Sequence, residues 1–242
     1  ACGNMVVDIG GGTTDIAVFY DSIIYHTAVI PFGGNVITED IRKGCSIIKK
    51  HAEEIKVKFG SAVAVENSDD EVVSIPGIRG REAKEISFKN LASIIQARLE
   101  EIFDLVNFEI QKVNTEHKLI AGIVLTGGGA NMKHICQLAE FKTGLEVRIG
   151  YPNEYLSNET SKELESPMYS TGIGLVLEGI ARYEEEMSRR PHDDSNDSKV
   201  KVTDKKTLKQ GGGFSLKGVV TAFTKYFNVK SENLDKDIID NK

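Results

Sequence analysis

The sequence predicts an α/β fold with an α+β subdomain inserted into it and a disordered tail behind it. Three observations carry this prediction. Short β-rich runs occur at Asn4–Ile9, Ile16–Tyr20 and Ile23–Ile30, and again at Ile120–Leu125 and Glu146–Ile149. Helical periodicity fills the space between the two groups, most clearly over Phe88–Val113. Beyond Glu184 the composition shifts to Pro, Asp, Ser, Asn and Lys.

The first three runs are separated only by Gly10–Asp15 and by Asp21-Ser22, so they read as strands joined by tight turns. Pro31–Asn35 is a loop, and a helix is expected from about Val36. A second helix is expected over Ser46–Phe59, closed by Gly60. Ala62–Glu66 and Glu71–Ile75 read as a hairpin around Asn67–Asp70. The long helix carries its apolar stripe at Leu91, Ile95, Leu99, Ile102, Val106 and Ile110, at spacings of three and four. After the fourth strand a helix is expected over Asn131–Phe141. Another is expected over Met168–Met187, where Gly172, Gly174 and Gly179 would permit close packing.

The chain has 242 residues, 40% of them apolar and 27% charged, enough to bury a core. No run of uncharged apolar residues is long enough to predict a transmembrane helix, and Ala1–Val7 lacks the basic start of a signal peptide. Cys2, Cys45 and Cys136 are too scattered for a disulfide framework or a zinc site and suit a reducing cytoplasm. His26, His51, His117, His134 and His192 show no metal-ligand spacing. Cys136 is expected in the core, and Arg98, beside Glu100 and Glu101, as a solvated charge.

The net charge of -6 argues against nucleic acid as a partner, but it hides an asymmetry. Residues 199–230 hold eight lysines and one acid, a net of +7, which leaves -13 for the rest. Either this segment meets an anionic partner or it is a solvated tail without one.

Two strands end in three glycines. In Asp8-Ile9-Gly10-Gly11-Gly12-Thr13-Thr14-Asp15 the glycines let backbone N–H groups converge, as a phosphate site requires. The hydroxyls of Thr13 and Thr14 can donate to the same oxygens. Asp8 can hold a hydrated Mg²⁺ or orient a water. The other reading is a tight hairpin that needs glycine. In Thr126-Gly127-Gly128-Gly129-Ala130-Asn131 the glycines open a helix, where amides favour phosphate and a flat base can lie on bare backbone. Neither loop is the dinucleotide fingerprint or a P-loop.

This order of strand, DIGGGTTD, strand, insertion, strand, TGGGANM and helix resembles the nucleotide-binding half of the actin–Hsp70–sugar kinase superfamily. The fold it implies is actin/Hsp70-like, which is also ribonuclease H-like. The resemblance implies bound ATP and Mg²⁺. It makes Asp8, Gly10, Gly11, Gly12, Thr13 and Thr14 the phosphate side, and Gly127, Gly128, Gly129 and Asn131 the adenosine side. Ala52–Lys56 is similar to a helix that sets Glu53 and Lys56 against the adenosine; an exposed charged helix face is the other reading of both.

Ile30–Ile41, Val147–Pro152 and Pro167–Leu175 narrow the resemblance to the FtsA family of actin-like cell-division proteins, over roughly Val6–Tyr183. It implies a 2A subdomain at 1–35 and 114–183 and an inserted 2B subdomain at 36–113. A linker at 184–213, an amphipathic helix at 214–230 and a disordered end at 231–242 would follow. The first phosphate loop and subdomain 1C of the family have no counterpart, so the chain is expected to be the C-terminal half of a longer protein. By the resemblance it is an ATP-binding adaptor, not an enzyme, that links the FtsZ ring to the membrane. The C-terminal peptide of FtsZ would dock on residues 36–113, with Lys49, Lys50, Lys58, Lys84 and Lys89 as candidate rims. Self-association into filaments is implied, as is a place on the cytoplasmic face of the inner membrane at the division site. A PilM-like pilus adaptor and a phosphotransferase of the sugar-kinase type are the alternatives.

On a helical projection Leu216, Val219, Val220, Phe223, Tyr226 and Phe227 share one side, with Lys217 and Lys225 opposite. A short helix of this kind on a polar leash fits an anionic membrane surface, or else a groove on a protein.

Overall fold

The computed structural model describes residues 3–76, 82–113, 119–154, 156 and 161–189. The chain from Ala1 to Glu185 forms one compact unit; of the second, from Glu186, only Glu186–Arg189 are described. Of the linker expected at 184–213, residues 184–189 are helical instead; the rest of it, the tail helix expected at 214–230 and the end at 231–242 lie outside the described residues.

Strands β1 (Gly3–Ile9), β2 (Thr14–Tyr20) and β3 (Ile23–Ile30) form an antiparallel meander. Strands β6 (Ile123–Thr126) and β7 (Val147–Ile149) extend it in parallel, giving the order β3-β2-β1-β6-β7. Alternation explains β1: Met5, Val7 and Ile9 are buried, and the residues between them are not. The fourth strand begins three residues later than expected. Gly122 turns with φ 68°, and the Ile120 side chain stays exposed before it.

The insertion holds helices α1 (Gly34–Cys45) and α2 (Lys49–Phe59) and a hairpin of β4 (Val72–Ile75) with β5 (Lys84–Ser87). Helix α3 (Phe88–Val113) follows directly. Ser46 does not open α2 as expected. It adopts the left-handed conformation, and the Ser46 and Ile47 amides return to Lys43 and Arg42 carbonyls, which closes α1. The expected hairpin is also corrected. Ala64–Glu66 is a 3-10 turn held by Gln96, and the partner of Val72–Ile75 is Lys84–Ser87.

All six predicted stripe residues of α3 are buried, together with Phe103. Burying side chains of this size is worth about 1.5–3 kcal/mol each before entropy is counted. Helix α3 packs on α1, on β3 and on α4 (Ile135–Thr143). Residues 36–113 therefore share one continuous core with the sheet. Helix α4 starts four residues after the expected position, because His134 is left-handed at φ 61°; Gly144 closes it.

Helix α5 (Ser170–Arg189) follows a 3-10 turn at Pro167–Tyr169. Its glycines were expected to allow close packing. Instead, a Cβ at Gly172, Gly174 or Gly179 would meet nothing within 4 Å, and α5 buries no residue among those described.

Two other expectations change. Cys136 is half-buried, not core. Arg98 is not solvated: its side chain is 23% exposed and grips Asp40 of α1 through Nε at 2.6 Å and Nη2 at 3.2 Å. It also bonds Glu101 and lies over the Phe32 ring at 6.0 Å.

Candidate functional site

Strands β1 and β6 are neighbours in parallel, with Asp8 paired to Thr126. Both glycine loops leave the sheet at the same end as a consequence. Their glycines are needed for this approach. Gly127 has φ 82°, and a Cβ on it would collide with the Asp8 carboxylate. A Cβ on Gly129 would collide with the Ile9 side chain.

The first loop is a tight turn in which the Gly10 amide bonds the Thr13 carbonyl at 2.9 Å. Gly11, Gly12 and Thr13 are exposed at its tip, and a Cβ on Gly12 would meet open space. The start of α1 closes on the loop from one side. Gly34 and Asn35 amides donate to the Gly10 and Gly11 carbonyls at 2.9 and 2.7 Å. Gly33 must lack a side chain, since a Cβ would stand 2.6 Å from the Gly10 oxygen.

The two threonines of the loop part company. Thr13 is exposed and donates to Asp15 at 2.9 Å. Thr14 is 0% exposed and donates to the Phe32 carbonyl at 2.8 Å, so its hydroxyl serves the fold and not a ligand as expected. Asp8 is half-buried and accepts from Thr171 at 2.7 Å. Asp15 stands directly opposite Asp8 across β1 and β2, so both carboxylates project from one face of the sheet.

The second loop passes from Gly127 into a 3-10 turn over Gly128–Asn131, not into the α-helix. The expected set of helix N-terminal amides beside the glycines is therefore replaced by a short turn. Pro167 braces it by accepting from the Gly127 amide at 3.1 Å and from Thr126 at 3.3 Å. The Thr126 and Ser170 hydroxyls also hydrogen-bond each other, and Asn131 donates to Ser166 at 3.3 Å. Behind the loop the Ala62 amide bonds the Lys133 carbonyl, and the buried Ser61 hydroxyl meets His134 Nδ1 at 2.9 Å.

Glu53 and Lys56 lie one turn apart on α2, but they face different ways. Glu53 is half-exposed on a cleft of about 630 Å³, lined among others by Asn35, Lys49, Lys50, Glu54 and Lys58. Lys56 is 9% exposed and turned inward. Its ammonium bonds the Gly34 carbonyl at 3.0 Å, Thr38 at 2.9 Å and Glu53 at 2.8 Å. Burial acts to raise the Glu53 pKa, but the bonds from Lys56 and Thr38 outweigh it and hold the carboxyl below its ordinary value. Of the lysines proposed as a basic rim, Lys49, Lys50 and Lys58 share this cleft. Lys84 bonds the Cys45 carbonyl and Lys89 pairs with Asp69 at 2.6 Å.

The structure thus brings Asp8, Gly10, Gly11, Gly12 and Thr13 beside Gly127, Gly128, Gly129 and Asn131, with α2 reaching the first loop through Gly34. Sequence reasoning missed Gly33, Gly34, Asn35, Asp15, Thr171 and the Ser166-Pro167 brace. The Gly-Gly pair before α1 was a readable signal; the contribution of Thr171, 163 positions from Asp8, was not.

The fold is similar to that of solved actin-like proteins. MreB 5 of Spiroplasma citri bound to AMPPNP matches with a TM-score of 0.59 at 25% identity, over 77% of this chain and 56% of that one. A PilM-PilN type IV pilus biogenesis complex matches with a TM-score of 0.57 at 17% identity, over 74% and 46%, a likeness of fold alone. Among sequences, Cell division protein FtsA of Neisseria meningitidis serogroup B is 43% identical over 72% of this chain and 42% of its own length. That of Pseudomonas aeruginosa is 39% identical over 77% and 44%. That of Borreliella burgdorferi is 38% identical over 88% and 50%. The chain thus spans half or less of the length of these relatives. The family model for Cell division protein FtsA matches residues 5–174. With the sheet order, the paired glycine loops and this match over most of its length, the chain belongs to the FtsA family of cell-division proteins.

Proposed function

We propose that the chain is part of an ATP-binding, actin-like adaptor of the cell-division machinery. One observation carries the nucleotide reading: two glycine loops leave adjacent parallel strands at one end of the sheet, with the Asp8 carboxylate between them. The residues present fit MgATP. The first loop is open at Gly12, its tip carries the exposed Thr13 hydroxyl, and Asp8 and Asp15 face the same side. Gly10, Gly11, Gly12 and Thr13 would hold phosphate oxygens through backbone amides and a hydroxyl. Asp8 would hold Mg²⁺ through water. Gly127, Gly128, Gly129 and Asn131 offer bare backbone to an adenosine, and Glu53 offers a carboxylate to its hydroxyls. When bound, the metal neutralises phosphate charge; nothing in this arrangement requires hydrolysis for an adaptor role.

Family membership supports the remaining parts of the reading. Residues 36–113 would receive the FtsZ C-terminal peptide, the chain would self-associate into filaments, and 214–230 would bind an anionic membrane surface. That assembly would sit at the division site on the cytoplasmic face of the inner membrane. No described helix is long and apolar enough to cross a membrane.

Calorimetric titration with MgATP tests the nucleotide reading. It compares this chain with one extended N-terminally to the length of the curated relatives. Binding by this chain alone should be weak, with a Kd well above about 1 μM, and should tighten by at least about tenfold in the longer one. Each bond to a charged group that the other half supplies is worth about 1.5–3 kcal/mol. Failure of the longer protein to bind would overturn the reading. Tight binding by this chain alone would show that one half suffices.

A further inference from the structure

We propose that Lys56 is a positioning residue for the first glycine loop, and that Glu53 alone of the α2 pair faces the ligand. This deepens the nucleotide reading and rests on it.

An ammonium group has three N–H donors and no acceptor. In Lys56 all three are occupied inside the protein: by the Gly34 carbonyl at 3.0 Å, by the Thr38 hydroxyl at 2.9 Å and by Glu53 Oε2 at 2.8 Å. The side chain is nine-tenths buried, and Lys56 is absent from the lining of the cleft that Glu53 shares. A base or ribose could take a bond from Lys56 only by displacing one of these partners from a buried charge, which is costly.

Gly34 explains what the buried ammonium is for. Its carbonyl is bonded by both Lys56 and the Thr38 hydroxyl at 3.0 Å, and its amide donates to the Gly10 carbonyl at 2.9 Å. Asn35 repeats the contact on Gly11 at 2.7 Å, and its side-chain amide is the nearest group to a Cβ placed on Gly11. Lys56 therefore pulls on the first peptide units of α1 from one side while the glycine loop is fastened to their other side. Three elements distant in sequence meet at one residue, and the ammonium is the charged end of that connection. The same group fixes Glu53. Thr38 and Lys56 both bond Oε2, which leaves Oε1 to the cleft. An ionised carboxylate held in this way offers an acceptor in a set orientation, as a ribose hydroxyl requires.

The test uses the whole chain and three variants, Lys56→Met, Thr38→Val and Glu53→Gln. Amide hydrogen exchange is followed at Gly10–Thr13, Gly34 and Asn35, with β6 as the internal reference. Binding of MgATP and of magnesium tripolyphosphate, which has no adenosine, is followed by NMR titration, suited to weak affinities. Lys56→Met should speed exchange at the loop and at Gly34 by about tenfold or more while β6 is unchanged. It should weaken both ligands by the same factor. Glu53→Gln, whose amide oxygen can still accept from Lys56, should weaken MgATP more than tripolyphosphate. Thr38→Val removes one Lys56 partner together with the bonds of Thr38 itself to Gly34 and Glu53, and should repeat the faster loop exchange of Lys56→Met. Should Lys56→Met fail to fold, unchanged loop exchange in Thr38→Val still overturns the proposal.

Unchanged loop exchange in Lys56→Met and Thr38→Val, or a loss confined to MgATP, would overturn the proposal and return Lys56 to the adenosine. If the wild-type chain and its extended form bind neither ligand, the nucleotide reading fails. The exchange measurements then still decide whether Lys56 holds the loop.

Discussion

Asp8 of β1 and Thr126 of β6 are partners in the parallel ladder that brings the two glycine loops together. The Asp8 carboxylate sits where a Cβ of Gly127 would be, and Thr171 at the start of α5 bonds it from a third direction. A strand register thus sets the distance between two loops that are more than a hundred residues apart in sequence.

That relationship makes Gly127 and Gly12 unequal. Gly127→Ala forces a side chain into φ 82° and onto Asp8, and should cost at least about 2 kcal/mol. Gly12→Ala meets open space and should change stability by less than about 1 kcal/mol. Urea unfolding of the two variants checks the contrast, and equal losses would contradict it.

Arg98 and Asp40 join α3 to α1 through two hydrogen bonds, with the guanidinium over Phe32. A double-mutant cycle with Arg98→Met and Asp40→Asn should give a coupling of about 1 kcal/mol or more. A solvated arginine would give a coupling near zero.

Acid should loosen the contact between β3 and α3. Burial acts to raise the Glu109 pKa, but bonds from Lys112 and His26 outweigh it, so the folded value lies below the ordinary 4.5. A depressed carboxyl adds stability at pH above its unfolded value and loses it as pH falls through the folded one. Stability should therefore decline as pH drops below about 4.5. Glu109→Gln should be less stable at neutral pH and show a shallower acid limb in thermal melts.

The apolar side of residues 214–230 should carry membrane binding. Phe223→Glu with Phe227→Glu should abolish co-sedimentation with liposomes, since each buried aromatic contributes about 1.5–3 kcal/mol. Lys217→Gln with Lys225→Gln should weaken binding on anionic vesicles and leave neutral ones unaffected. If the double glutamate variant still pelleted, a protein groove would be the better partner for this segment.

The FtsZ C-terminal peptide should bind the chain less well as salt rises, because Lys49, Lys50 and Lys58 gather on one cleft, and MgATP should compete with it there because Glu53 lines the same cleft. Lys50→Glu with Lys58→Glu should weaken peptide binding by about tenfold or more in fluorescence anisotropy. An unchanged affinity would move the peptide away from this cleft.

Local chemistry was enough for much of the fold. Alternating burial in β1, the stripe from Leu91 to Ile110 and the helix over Phe88–Val113 follow from periods of two and 3.6, which a sequence displays directly. The glycine runs marked both loops, because no other residue lets backbone approach so closely.

Where the reading went astray, a long-range partner or a single backbone torsion decided. Ser46 and His134 adopt left-handed conformations that residue type does not announce, and these set the limits of α1, α2 and α4. Val72–Ile75 took a partner beyond residue 81. Thr13 and Thr14 are neighbours of the same type, yet strand alternation exposes one and seals the other against Phe32. Arg98 and Lys56 read as ordinary surface or ligand-facing charges until Asp40 and Gly34 were placed against them. The sequence by itself determined most of the strands and helices, though not the turn at Ala64–Glu66 or the strand Lys84–Ser87, and it marked the two glycine loops. Only the tertiary structure decided which polar groups are spent inside, because a hydrogen-bond donor is committed by what packs beside it and not by its neighbours along the chain.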